Sequence, residues 1–350
     1  VSADPTLESW CGNRVEALAQ ALEPVLGPLQ GPLQVARCGG GQSNPSYRIA
    51  SGSRQWLLRK KPQGPVLPSA HAVEREFRVI RALAGSGVPV PRALWLCEDT
   101  GLIGTPFYVM EFVEGRIFLD PALPGLAPGD RAALYDDINR VIARLHGLDA
   151  QALGLGDFGR PGHYLERQVA RWTRQYRASE TGVIDAMDRL IDWLPARLPP
   201  EPAPAVVHGD LRVDNMIVHP TEPRVLALID WELATIGDPL ADLAYHVLGW
   251  ELGADDFRGM AGQPLRELGI PDAPDYVARY ALRRGLPAPS ARDWGVYIVY
   301  SLFRLAAILQ GIARRALDGS ANDPQAALTG ARAARIADIG WARARALDAG

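Results

Sequence analysis

Lysine is almost missing from this chain: Lys60 and Lys61, side by side, stand against 35 arginines. Cysteine is scarce too. Cys11, Cys38 and Cys97 are odd in number, far apart and outside any CxxC or Cys/His grouping, which argues against a disulfide frame or a zinc site and predicts reduced, structural thiols. No uninterrupted apolar run reaches the ~20 residues of a membrane span, and residues 1–31 lack a basic start followed by an apolar signal core. The expectation is a cytoplasmic protein with no membrane partner. There is no charged tail, and a net charge of -3 with a pI near 6.1 offers no general attraction to nucleic acid.

What is present is the composition of an ordinary folded protein, 47% apolar and 22% charged. At 350 residues the chain exceeds the ~250–300 at which one core stops growing, so two packed units are expected. Residues 6–26 show helical spacing and end at Gly27-Pro28, followed by the tandem Gly-Pro-Leu-Gln of residues 27–34. Strand-like runs follow at 33–37, 46–50 and 55–61, then a helix at about 71–84, then strands at 93–98 and 106–112. Beyond Gly115 helical patterns dominate, at 130–148, 163–178, 183–198, 275–284, 294–317 and 324–347, with strands only at 217–218 and 225–229. This predicts an α+β chain with a small antiparallel-sheet unit over residues 1–113 and a larger, mainly helical one over 114–350.

The chemistry-bearing stretch is Val206-Val207-His208-Gly209-Asp210-Leu211-Arg212-Val213-Asp214-Asn215-Met216-Ile217, followed by Leu226 to Asp230. It resembles the kinase catalytic loop H-x-D-x-x-x-x-N and the later metal-binding aspartate. On that pattern Asp210 is the catalytic base, placed to take the acceptor hydroxyl's proton. Asn215 and Asp230 offer the hard oxygens that a nucleotide-bound Mg²⁺ prefers. A hairpin over the intervening residues is expected to bring Asp230 back beside Asn215. Turn capping alone explains a single Asp or Asn, but the ordered set between two apolar runs is harder to obtain that way. His208 is read as a brace for the loop, and Asp238 as the N-cap of a helix that begins at Pro239.

Upstream, Gly39 to Asn44 lies between two strands, where the backbone of Gly40, Gly41, Ser43 and Asn44 can approach phosphates. It is neither a P-loop nor a G-x-G-x-x-G. The next strand ends Arg59-Lys60-Lys61, the slot for a phosphate-holding cation. Strand alternation puts Arg59 and Lys61 on one face and Lys60 on the other without choosing between them.

His208-Gly209-Asp210, Asn215 and Ile229-Asp230-Trp231 together resemble the signature of the aminoglycoside phosphotransferase and choline kinase family. The likeness continues through Gly237 to Ala244. The resemblance implies a protein-kinase-like two-lobed fold, ATP and Mg²⁺ as cofactors and a small hydroxylated acceptor. It favours Arg59 over Lys60 as the phosphate cation and makes Glu76 its helix partner. It also gives the backbone of Glu111 and Val113 to adenine.

Within the family, residues 41–47, 58–64, 75–77 and 230–242 are most similar to the kinase-like domains fused to, or encoded beside, acyl-CoA dehydrogenases. That branch implies a hydroxyacyl-CoA acceptor, such as a 4-hydroxyacyl-CoA, bound by the helical part. The rivals are an aminoglycoside, choline or sugar kinase and, in another class, a nucleotide- or acyl-CoA-binding module without turnover. A polycationic drug would want a cleft dense in carboxylates, and after Trp250 only Asp255-Asp256 forms such a run.

Overall fold

The computed structural model describes residues 14–38, 44–62, 72–160, 162–321 and 323–349. The chain divides into two compact units, one running to Gly115 and including Leu226–Ala234, the other made of Arg116–Val225 and Thr235–Gly350.

The first unit is built on an antiparallel sheet of five strands: β1 Gln34–Arg37, β2 Ser46–Ser51, β3 Arg54–Lys60, β4 Ala93–Cys97 and β5 Phe107–Glu111. Their order is β1-β2-β3-β5-β4. The first three form a meander. The next connection carries the helix Val73–Leu83, so β5 rather than β4 pairs with β3, with Arg59 opposite Tyr108. Period-two burial runs through β3, where Trp56, Leu58 and Lys60 turn inward. The helix Val15–Leu26 lays Leu18, Leu22 and Leu26 on Ile49, Leu58, Phe107 and Val109, an i, i+4, i+8 stripe sealing one face of the sheet. Each leucine so buried contributes about 1.5–3 kcal/mol.

The second unit is mainly helical. Its central element is the 27-residue helix Ala291–Leu317, against which Tyr164–Ser179, Pro239–Glu251, Ala326–Gly330 and Ala333–Ala349 pack. By length and composition this helix is apolar enough to cross a membrane, but 83% of its most apolar window is buried inside the protein, as in a core helix. Arg304 interrupts the apolar run.

Two strands were not foreseen. Ala205–Val207 pairs antiparallel with Thr235–Gly237, and the pair brackets the loop that begins at His208. The helix expected over 324–347 is broken in two after Gly330, which lies so close to the central helix that a Cβ there would come within 2.5 Å of Ala313 Cα. Asp238 does N-cap the helix Pro239–Glu251, accepting the N–H groups of Leu240 at 2.8 Å and Ala241 at 3.3 Å.

Candidate active site

In the first unit Arg59 lies on β3, and its Nε is 2.9 Å from Glu76 Oε2 on the helix Val73–Leu83. Its Nη2 lies 2.5 Å from Asp230 Oδ1 and 3.8 Å from Glu232 Oε2. Glu76 is fully buried and also takes hydrogen bonds from Tyr108 Oη, at 3.0 Å, and from the Asn44 amide. Burial opposes the charge of Arg59, but Asp230 and Glu76 outweigh it and raise its pKa further above the ordinary arginine value. The Glu76 carboxyl is pushed up by burial against the pull of Arg59.

Lys60 turns to the other face of β3 and is 2% exposed, so this strand end is no solvated basic patch. Lys61 pairs with Glu74 at 3.0 Å. Gly40, Gly41 and Ser43 lie outside the described residues. Asn44 is buried and supports Glu76. Glu111 ends β5, its N–H donating to the Arg92 carbonyl at 2.9 Å, and Val113 follows outside the ladder. Asp230 stands in the left-handed region at φ 67°, uncommon for a residue with a side chain, and immediately precedes the 3₁₀ turn Trp231–Leu233 without a side-chain capping hydrogen bond.

In the second unit the loop after Ala205–Val207 is held by several hydrogen bonds. Gly209 adopts φ 83°, which only glycine enters freely, and this turns Asp210 out of the strand direction. Asp210 N–H donates to His208 Nδ1 at 3.2 Å. Asn215 Nδ2 donates at 2.8 Å to both the backbone oxygen and Oδ2 of Asp210, and Arg212 Nη2 reaches the same Oδ2 at 3.2 Å. Among the described residues no hydrogen bond engages Asp210 Oδ1 or Asn215 Oδ1.

Below the loop sits a buried network. Asp242 Oδ2 accepts His208 N–H at 2.7 Å and Oδ1 accepts Gly209 N–H at 2.9 Å. His146 Nε2 is 3.2 Å from Asp242 Oδ2 and its Nδ1 is 2.8 Å from Tyr280 Oη. A carboxylate can only accept, so Nε2 carries the ring proton and the tyrosine hydroxyl donates to Nδ1. Burial lowers the His146 pKa, with Asp242 opposing, and keeps the ring neutral. Burial alone would raise Asp242, but its hydrogen bonds prevail and hold it below the ordinary aspartate value.

A model of the phosphotransferase enzyme family matches residues 34–297. The chain belongs to this family. By class this phosphotransferase is a small-molecule kinase. It is 50% identical over 303 residues to acyl-CoA dehydrogenase family member 10 of Mus musculus, a match covering 86% of this chain and 28% of that protein. The chain therefore spans less than a third of that relative.

A solved structure of a putative aminoglycoside phosphotransferase from Ralstonia eutropha is 47% identical, with a TM-score of 0.85 over 95% of this chain and 98% of that one. Spectinomycin phosphotransferase, solved with ADP and spectinomycin, is 14% identical with a TM-score of 0.61, covering 94% of this chain and 98% of its own. That likeness is one of fold, and the fold is protein-kinase-like.

Some contributors escaped the sequence reading. Tyr108 reaches Glu76 only because strand register sets it opposite Arg59. Arg304, buried in the central helix, donates to the Gly209 carbonyl 95 positions earlier and lies over the Tyr245 ring at 4.2 Å. His146 had no motif to mark it. Asp242 ties its helix to the loop.

Proposed function

We propose that this phosphotransferase moves the γ-phosphoryl group of Mg·ATP onto a hydroxyl of a hydroxyacyl-CoA, with Asp210 as the base. The observation that carries the reading is the fixation of Asp210. Asn215 and Arg212 occupy Oδ2 and leave Oδ1 to take the proton of an incoming alcohol. As the alcohol oxygen bonds to phosphorus, the bond to the β–γ bridging oxygen breaks and ADP leaves. Little covalent chemistry is asked of the protein, so positioning and charge do most of the work.

Arg59, kept charged by its two carboxylates, is the cation for the α/β-phosphates, and the backbone of Glu111 and Val113 is the adenine edge. The chemistry of the donor set fits magnesium: Asn215 spends its hydrogen bonds through Nδ2, leaving the amide oxygen, and Asp230 adds a carboxylate. Bound there, the ion would neutralise charge on the transferred phosphoryl group. ATP use is supported by the ADP found in a neighbour of the same fold. A hydroxyacyl-CoA acceptor is supported by a close relative named as an acyl-CoA dehydrogenase family member.

The test is to incubate the purified protein with Mg·ATP and 3- and 4-hydroxyacyl-CoA, free hydroxy acids, choline and kanamycin, and to search by mass for a product heavier by one phosphoryl group. A phosphorylated acyl-CoA is expected. Product from choline or kanamycin alone would move the chain to a rival kinase class, and no Mg²⁺-dependent ADP at all would make it a binding module.

A further inference from the structure

A partly open recess with a cavity volume of about 50 Å³ lies in the second unit against the loop that carries Asp210. Much of its wall is apolar, from Leu119, Pro121, Leu248, Leu252, Phe257 and Leu305, with Tyr245 and His246 beside them. Arg212, Val213 and Asp214, from the stretch between Asp210 and Asn215, form the side toward the proposed base. Arg258 joins them through an ion pair with Asp214, which Arg212 also approaches to 3.4 Å.

This rim is built, not incidental. Arg258 holds a left-handed backbone at φ 46°, uncommon for a residue with a side chain. The neighbouring Gly259 is packed so tightly that a Cβ would fall 1.9 Å from the Leu252 carbonyl oxygen, so the turn that aims Arg258 at Asp214 is fixed by packing. Leu119, on the same recess, is 65% exposed, an apolar side chain at the opening that a hydrocarbon would cover.

The lining selects among acceptors. A polyamine would find one carboxylate, Asp214, already shared by two arginines, and would be repelled by both. Hydrocarbon would find six apolar side chains. We infer that the recess holds the alkyl arm of the acceptor, the chain beyond the hydroxyl-bearing carbon, and that Gly249 in its wall sets how long an arm is accepted. The inference rests on the hydroxyacyl-CoA reading and makes it specific, since the hydroxyl then lies between the thioester and an aliphatic arm. Gly249 lends only backbone to the lining, and a Cβ there would meet Pro121 at 3.6 Å and Met260 Cε at 3.8 Å, ordinary contact that leaves alanine unstrained.

The experiment compares kcat/KM for 4-hydroxyacyl-CoA acceptors of increasing arm length in the wild type, Gly249→Ala and Gly249→Leu. Calorimetric binding of the matching acyl-CoAs without a hydroxyl runs alongside. In the wild type each added methylene gains about fourfold until the recess is full. In Gly249→Leu the gain stops at a shorter arm, and the long-to-short ratio falls by about tenfold or more, with Gly249→Ala between. Equal ratios in all three proteins, with melting temperatures preserved, overturn the inference and leave phosphoryl transfer standing. Should no hydroxyacyl-CoA be phosphorylated, the acceptor reading fails and calorimetry decides the recess. Length-dependent binding lost in Gly249→Leu keeps it an alkyl site, and length-independent binding removes it.

Discussion

The two carboxylate oxygens of Asp242 bind the start of the loop: Oδ2 takes the His208 N–H at 2.7 Å and Oδ1 takes the Gly209 N–H at 2.9 Å. One buried side chain thus sets where the main chain turns before Asp210. Asp242→Ala strands both amides and the His146 Nε2–H, and is expected to cost about 3–5 kcal/mol, the loss seen when one partner of a buried charged network is removed. Urea denaturation measures it. A change within the error of extrapolation would show that the network does not hold the loop.

Arg59→Ala leaves Glu76 buried with only the Tyr108 and Asn44 hydrogen bonds named above. We expect KM for ATP to rise about 10–100-fold, the worth of one to two charge-assisted hydrogen bonds. Lys60→Ala, altering the opposite face of β3, is expected to raise it less. Steady-state kinetics on both variants separates the two cations, and a larger effect from Lys60 would reverse the assignment.

Asp230→Asn keeps a residue that tolerates the left-handed backbone at φ 67° while removing the charge. Its side chain is 32% exposed, so stability should change little. The Mg²⁺ concentration for half-maximal rate at fixed ATP is expected to rise about tenfold, reflecting the loss of one hard anionic ligand. An unchanged magnesium profile would remove Asp230 from the metal site.

His246 is buried against Tyr276, 3.1 Å from Nε2 to Oη, and burial pushes its pKa down to about 4 from 6.5. A depressed folded-state value means that the unfolded chain binds the proton first. The contribution of this ring is therefore full above pH 6.5 and is lost as pH falls toward 4. His146, also lowered, acts in the same sense. Asp238, raised by burial to about 6, acts in the opposite sense, its contribution fading as pH rises through that value. A difference measurement separates them. The stability gap between wild type and His246→Gln should narrow by about 3 kcal/mol between pH 7 and pH 4, and a constant gap would refute a neutral, buried ring.

The sheet was legible because its strands alternate over five or more residues or end at clear turns, and because β3 carries its cations in one compact run. The loop was legible for a different reason: Asp210, Asn215 and Asp230 are ordered by local chemistry that needs no tertiary information. Ala205–Val207 and Thr235–Gly237 were not, since three residues give no period and one strand ends in glycine. Tyr108, His146 and Arg304 act through register or through contacts about a hundred positions apart, which local sequence does not encode. The close approach of Gly330 to the central helix belongs to the same group.

The central claim is that Asp210 removes the acceptor's proton during transfer from ATP. The direct measurement follows the γ-phosphoryl group of labelled ATP into a hydroxyacyl-CoA, using wild type and Asp210→Ala matched for folding by circular dichroism. The wild type should yield the phosphate ester, and the variant should be slower by about 10²–10⁴-fold, the weight of a positioned acid-base group. A folded Asp210→Ala protein that transfers label at close to the wild-type rate would contradict the account.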